Sequence, residues 1–246
     1  MKITVFNGSP KGKQSATHVM VQAFAKGAAD AGAKVENIFL VRKKIKYCLG
    51  CFHCWIKTPG RCVHKDDMAD LLQKFIDSDI VVFAMPLYVD NVTGIMKNFM
   101  DRLVPLADPH FEKNEEGECR HVSRFENNHK FAVISNCGFP EQSHFQVLRL
   151  LFCRIARNFQ AELVAEIYRG GGPLLPDPPP MLRDIITNYL KLVEETGREV
   201  VIYGKISEVL AGKLEEPLIP HDLYIEGANR EYWDVELAKL QSPNKK

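Results

Sequence analysis

Residues Lys46 to Met68 read KYCLGCFHCWIKTPGRCVHKDDM and hold four of the seven cysteines in the chain. Their spacing is C-x2-C-x2-C-x7-C, at Cys48, Cys51, Cys54 and Cys62. A metal centre, a disulfide frame or a loop of free thiols are the three readings of such a set. An odd total of seven suits a disulfide scheme poorly. Iron–sulfur clusters take four thiolates, and close spacing lets one loop wrap three corners of a cube. Pro59 and Gly60 allow the chain to fold back so that Cys62 supplies the fourth. Structural zinc more often joins two C-x-x-C pairs across a longer spacer. Three cysteines in one run with a single return therefore favour iron over zinc. His53 and His64 are substitute ligands at most and read as bystanders. Cys119 and Cys153 lie outside any motif, and Cys153, on an apolar helical stretch, reads as core.

A second constellation is NGSPKGKQSAT, Asn7 to Thr17. Gly8 and Gly12 permit close backbone approach, Ser9, Ser15 and Thr17 offer hydroxyls, and a helix opens there. Backbone N–H groups at a helix start make an anion site. The pattern is neither a Walker A loop nor G-x-G-x-x-G, which disfavours a nucleoside triphosphate and a dinucleotide. A single terminal phosphate suits it, and an ordinary strand–helix turn of small residues suits it equally. Two further loops offer rims. MPLYVDNVTGIMKNFMDR, Met85 to Arg102, brings Leu87, Tyr88 and Val89 past the end of a strand. SNCGFPEQSH brings Gly138, whose backbone can face a heteroatom-rich ring. Cys137 reads as a small buried residue, because no base partner for it is visible. No Ser/His/Asp arrangement is legible, and no catalytic side chain is assigned.

The elements that must carry these loops alternate. Strands are read at KITVF, KVENIFL, IVVFAMP, HKFAVISNCG and AELVAEIYRG. Helices are read at Ser15 to Ala31, DDMADLLQKFIDSD, TGIMKNFMDRLV with Thr93 as cap, HFQVLRLLFCRIARNFQ, and a last long helix after the prolines of PDPPP. IVVFAMP has no polar alternation, as a central parallel strand buried on both faces requires. The order predicts an α/β fold: a flavodoxin-like, doubly wound, five-stranded parallel sheet with helices on both faces, plus a C-terminal extension. In such a fold ligands bind outside the carboxyl ends of the strands, where strand order reverses. Net charge is +1, from 32 basic and 31 acidic residues, which suggests neither nucleic acid nor an anionic membrane as partner. No apolar run approaches a membrane span or a signal-peptide core, so a cytoplasmic, thiol-reducing setting is expected.

NGSPKGKQSAT, the C-x-G-C-x-x-C run leading into DDM, and MPLYVDNVTGIMKNFMDR together resemble the NADPH-dependent FMN reductase family of flavodoxin-like proteins. Within it they are most similar to the iron–sulfur flavoproteins. The likeness covers roughly Met1 to Gly170. It implies FMN, with its phosphate on Ser9, Lys11, Ser15, Ala16 and Thr17. The ring would lie on Pro86, Leu87, Tyr88 and Val89 with Asn91 nearby, and Asn136, Cys137 and Gly138 would close the third side. It implies a [4Fe–4S] cluster on Cys48, Cys51, Cys54 and Cys62, although many relatives carry flavin alone. The cluster would sit a short electron-transfer distance from the flavin, since both loops leave one edge of the sheet. Lys97, Asp101 and Arg102 look like the family's interface helix, in a homodimer or homotetramer, with a solvated charged face as the plainer reading of Lys97.

Residues 1–205 thus read as one FMN-binding domain with the cysteine loop 48–62 inserted, and 206–246 as an extension packing on the core or on a partner subunit. Ser242 to Lys246 read as a frayed end. The implied activity is NAD(P)H-dependent reduction of a small-molecule or electron-carrier acceptor through FMN. A non-enzymatic flavin and iron–sulfur electron carrier, and a cofactor-free interaction module, are the alternatives. RGGGPLLPDPPP, Arg169 to Pro180, is a loop able to cover part of the pocket.

Overall fold

A computed structural model describes residues 1–125 and 129–241. Five strands form one parallel sheet: β1 (Lys2–Asn7), β2 (Lys34–Phe39), β3 (Ile80–Pro86), β6 (Lys130–Asn136) and β7 (Glu162–Arg169). Their order is β2-β1-β3-β6-β7. This is the doubly wound order expected, and strand order reverses between β1 and β3. Every residue of β3 is buried. Val81, Phe83 and Met85 point to one face and Ile80, Val82 and Ala84 to the other. Alternation with period two thus feeds two separate cores.

One core lies under α3 (Met68–Ile76), α4 (Gly94–Asp101) and α5 (Gln146–Phe159). It is rich in rings, with Phe6 stacked on Phe99 at 4.5 Å between centroids. The other lies under α1 (Ala16–Asp30) and α6 (Arg183–Ile202). Ser15 caps α1 by accepting from His18 N–H, and Thr93 caps α4 by accepting from Met96 N–H.

Three features depart from the elements read above. First, a separate antiparallel hairpin, β4 (Ala107–Lys113) and β5 (Cys119–Ser123), lies between α4 and β6. Its strands are half-exposed, so they lack the continuous apolar run that marks the buried ones. Second, α6 is not the last helix. The chain continues through α7 (Glu208–Glu215), α8 (His221–Gly227), a π-helical stretch Ala228–Trp233 and α9 (Asp234–Gln241). Leu210 and Leu214 of α7 are buried in the α1/α6 core. The buried Arg169 guanidinium donates to the carbonyls of Leu214 and Glu216 and lies over the Tyr189 ring. Tyr232, Trp233, Leu237 and Leu240 stay exposed. Third, Cys153 faces solvent. Leu148, Phe152 and Ala156 form the buried stripe of α5 at helical spacing, which turns Cys153 away from the sheet. Ser242 to Lys246 lie outside the described residues. Among the described residues no helix is long and apolar enough to cross a membrane.

Candidate functional site

The first loop leaves β1 at the reversal point. Asn7 Oδ1 accepts from Ser9 N–H at 3.0 Å, tightening the turn. Gly8 N–H donates to Ala84 C=O at 2.8 Å, and Thr93 Oγ1 donates to Gly8 C=O at 2.8 Å. A side chain at Gly8 would put its Cβ 2.9 Å from that of Met96, so only glycine lets this loop lie against α4. Ser9, Ser15 and Thr17 are all buried, while Lys11 is exposed. Ser15 Oγ also donates to Gly12 C=O at 2.7 Å. Ala16 and Thr17 are the first two residues of α1, so their amides have no acceptor within the helix. Asn7 Nδ2 is buried without a hydrogen-bond partner. The loop thus gathers buried hydroxyls and unspent donors at the positive end of a 15-residue helix.

The second loop follows β3. Pro86 and Leu87 are buried, and Leu87 N–H donates to Asn136 C=O at 2.8 Å. Tyr88 and Asn91 bond each other through both backbone pairs, at 3.0 and 3.1 Å. Between them Val89 and Asp90 have φ of 49° and 55°. Two successive positive φ values are the signature of a type I′ turn, and a β-branched residue in that region is strained. Val89 is 98% exposed, so no packing offsets the strain. Strain of this kind persists at ligand clamps and switch regions.

The third loop follows β6. Asn136 Nδ2 donates to Thr17 Oγ1 at 2.8 Å, joining it to the first. Cys137 is 4% exposed, and burial pushes its thiol up to about 11, which leaves it unreactive as a nucleophile. Gly138 is exposed at the rim. The glycine run after β7 supports this loop from behind. Gly171 N–H and Gly172 N–H donate to the carbonyls of Phe139 and Cys137, both at 2.8 Å. A Cβ on Gly172 would meet Asn136 Oδ1 at 2.7 Å. Tyr224 Oη, from α8, donates to Gly138 C=O at 2.7 Å, so the extension braces the same rim. Neither Asn7 nor Tyr224 is singled out as a site residue by type or spacing, and Thr93 is read from the sequence only as a helix cap.

 The separations are 85 residues for Thr93 with Gly8 and 86 for Tyr224 with Gly138, beyond the reach of any local signal.

The four motif cysteines line one cavity of about 420 Å³, together with Met100 and Asp101 from the end of α4 and Val104 just beyond it. Cys54 is buried and opens α2 (His53–Ile56) with His53. Burial pushes the Cys54 thiol up, and the charges of Cys62, Cys48 and Cys51 add to the effect. Gly50 and Phe52 adopt positive φ, 60° and 52°, and so turn the chain around the cavity. Among the described residues no three ligating side chains converge closely enough to hold a single metal ion.

The base of the cysteine loop is clamped by a buried ion pair. Arg102 Nη1 donates to Lys46 C=O at 2.6 Å and to Asp66 Oδ2 at 2.7 Å, and Nη2 donates to Asp66 Oδ1 at 3.1 Å. The charge of Cys62 acts on the same guanidinium. Arg102 is therefore interior and is not part of an exposed interface helix. It follows the last turn of α4, where the chain bends under the loop. Lys97 and Asp101 do form an exposed i,i+4 pair.

The two loop systems meet α4 at opposite ends. The first loop touches Thr93, and the cysteine cavity touches Met100 and Asp101. Eight helical residues span about 12 Å. The cysteine loop leaves the carboxyl end of β2 as expected but then runs down α4. Asn98 Nδ2 donates to Ile45 C=O, and Trp55 Nε1 to Val104 C=O. A shared sheet edge therefore does not by itself bring the cysteines beside the first loop.

The fold is flavodoxin-like, and known structures share it. An FMN-dependent NADH-azoreductase from Bacillus anthracis, solved with FMN, superposes with a TM-score of 0.60 at 18% identity, over 81% of this chain and 99% of that one. An NAD(P)H:quinone oxidoreductase from Methanothermobacter marburgensis gives 0.60 at 18%, over 81% and 98%. Residues 1–118 match the NADPH-dependent FMN reductase family. The chain is also similar to proteins named iron–sulfur flavoprotein. One from Archaeoglobus fulgidus is 41% identical over 105 residues, covering 43% of this chain and 46% of the relative. Another from Methanocaldococcus jannaschii is 39% identical over 102 residues, covering 42% and 50%. The matched segments span about half the length of these curated relatives.

Proposed function

We propose that the chain is an FMN-dependent NAD(P)H oxidoreductase that passes electrons to a small-molecule or electron-carrier acceptor. The observation that carries this reading is the meeting of three loops at the β1/β3 reversal point. Buried Ser9, Ser15 and Thr17, the strained 88–91 turn and the braced 136–138 loop come together there, where doubly wound sheets bind their ligands. The residues fit a flavin mononucleotide. The opening amides of α1 and the Ser15 and Thr17 hydroxyls would hold the phosphate, with Ser9, Lys11 and Ala16 beside it. Asn7 Nδ2, buried and unpartnered, is a donor awaiting an acceptor. Pro86, Leu87, Tyr88, Val89 and Asn91 would carry the ring, and Asn136, Cys137 and Gly138 would border its third side.

Bound FMN supplies hydride acceptance from a nicotinamide and electron release singly or in pairs. The chain's own residues bind, orient and exclude water. Asn136 holds Thr17 at the phosphate end, and Tyr224 with Gly171 and Gly172 keeps the third rim closed. No side chain need move a proton, and none in the crevice is set up as an acid or base. The donor's class is inferred from the matched family.

A [4Fe–4S] cluster fits the cysteine cavity. Zinc draws four thiolates to within about 2.3 Å of one point, whereas a cube holds them at its corners, farther apart. The spacing of three cysteines in one run with a single return, their shared cavity of about 420 Å³ and the relatives named iron–sulfur flavoprotein support the cube. Cys48, Cys51, Cys54 and Cys62 would hold it, and it would supply one-electron capacity. Arg102, a buried cation at the loop base, would offset part of the thiolate charge. The free state of all seven cysteines suits a reducing, cytoplasmic setting. A homodimer or homotetramer is part of the same reading, on family grounds.

The test is anaerobic purification followed by a visible spectrum, with iron, zinc and acid-labile sulfide assays on one sample. Flavin bands with about four irons and four sulfides per chain, and steady-state NAD(P)H oxidation with an added acceptor, are expected. Flavin without turnover would make the protein an electron carrier instead. No flavin, even after adding FMN, would overturn the reading.

A further inference from the structure

Charge is unevenly placed along the chain. Residues 1–65 hold 12 basic and two acidic side chains, although the whole chain is balanced at 32 to 31. Seven of those cations fall between Val41 and Lys65, in and just before the cysteine loop, with no acid among them. All seven are exposed. Among the described residues none of them is in an ion pair. They outnumber the four motif thiols, so the face stays positive even with every one of those thiols ionised. Its middle is apolar: Tyr47, Leu49 and Ile56 are 80%, 66% and 76% exposed. An apolar centre inside a charged rim is the anatomy of a protein-binding surface. A nucleic acid would meet the cations and leave that centre unused.

A surface of opposite character lies near the other end of the same chain. From His221 to Gln241 the backbone is helical throughout, by way of α8, the π-helical stretch and α9. At 1.5 Å per residue this is a rod of about 30 Å. Trp233, Leu237 and Leu240 recur at i, i+4 and i+7, which places them in one stripe. They are 56%, 53% and 83% exposed, and neither core of the chain includes them. Helices draw most of their stability from packing such a stripe. The rod carries five acids and two bases. Arg230 pairs with Glu226 and Lys239 with Glu236, which leaves Asp222, Glu231 and Asp234 without an ion pair among the described residues.

We propose that the helical rod 221–241 of one copy of this chain docks on the basic cysteine-loop face of a second copy. The apolar stripe lies on the apolar centre, and the unpaired acids meet the cationic rim. Within one copy the rod and the face are both exposed, so neither covers the other. Two copies that exchange rods fill both faces at once and close with twofold symmetry. These surfaces serve the homo-oligomer of the reading above and need none of its cofactor assignments.

Light scattering on size-exclusion fractions of the full chain gives its mass, and sedimentation gives the strength of self-association. A dimer mass or a multiple of it is expected. In the rod, Trp233→Ala combined with Leu237→Asp should weaken association about tenfold or more, since a buried tryptophan is a typical interface anchor. In the face, Ile56→Asp combined with Lys57→Glu should do the same. Mixing the two double variants restores one intact rod on one intact face. The mixed dimer should therefore form more tightly than either variant with itself, a rescue that rod–rod or face–face contact cannot give. All four positions are exposed, and circular dichroism on each variant checks folding. A monomeric wild-type chain, association unchanged in either double variant, or no rescue on mixing would overturn the proposal. An oligomer that survives both double variants would leave the homo-oligomer standing on other surfaces, and the flavin and iron assays test the cofactor reading separately.

Discussion

Arg102 and Asp66 form a two-point ion pair in which the side chains are 1% and 3% exposed. The pair joins the end of α4 to the returning arm of the cysteine loop, 36 residues apart in sequence. Lys46 N–H donates to Asp66 Oδ2 at 2.9 Å, and Met68 N–H to Oδ1 at 3.2 Å. One carboxylate thus closes both arms of the loop and begins α3. Burial alone would raise its pKa, but the Arg102 hydrogen bonds and the two backbone donors hold it at about 2.

Removing one partner of a buried pair leaves the other charge uncompensated. Asp66→Asn should destabilise the chain by about 3–5 kcal/mol at pH 7. The folded-state pKa lies below the unfolded value, so this stabilisation is present above about pH 4 and is lost as pH falls toward 2. Urea unfolding of both proteins at pH 7 and pH 3 checks this. The gap between them should narrow at pH 3, and a constant gap would refute the electrostatic account.

The cysteines should divide by position. At pH 8 Cys137, buried and raised to about 11, should be the slowest thiol to react with an aromatic disulfide reagent. Cys48, Cys51, Cys119 and Cys153, all exposed, should react fastest in the metal-free chain. Mass spectrometry of time points assigns each site. Replacing any one of Cys48, Cys51, Cys54 or Cys62 by serine should abolish iron retention, while Cys153→Ser should leave it intact.

Thr17→Val keeps the side chain's shape but removes its hydroxyl. It should weaken FMN binding by tenfold or more, because it takes away the proposed phosphate donor and the acceptor for Asn136 Nδ2. Flavin fluorescence titration reads this directly. Lys11→Ala, at an exposed position, should have a smaller effect that fades at high salt.

Val89 holds a positive φ without any packing to justify a β-branched side chain. Asparagine tolerates that region. Val89→Asn should therefore raise stability by about 1 kcal/mol in the absence of FMN, measured by urea unfolding. A decrease would mean that the turn is not strained as its dihedral angles indicate.

Much of this protein was legible in local sequence. Ser15 and Thr93 announce helix starts, and the apolar run from Ile80 to Pro86 announces a strand covered on both faces. The four cysteines and the three loops after β1, β3 and β6 announce where chemistry is expected. These signals are local, because caps, periodicity and turn residues act over a few positions. The exposed side of α5 at Cys153 and the half-exposed β4–β5 hairpin were not legible, since neither carries a buried apolar pattern of its own.

What only the tertiary structure decided depends on contacts between distant segments. Arg102 looks like a surface charge in sequence and becomes interior when Asp66 folds over it. Tyr224 has no neighbour in sequence to suggest that it braces Gly138. The cysteine loop leaves the expected sheet edge, yet its anchors at Asn98, Arg102 and Val104 draw it to the other end of α4. Local chemistry determines which residues can form an element or hold a ligand. Long-range burial and hydrogen bonding determine which of those residues share a site, because each such contact joins segments that carry no local record of one another.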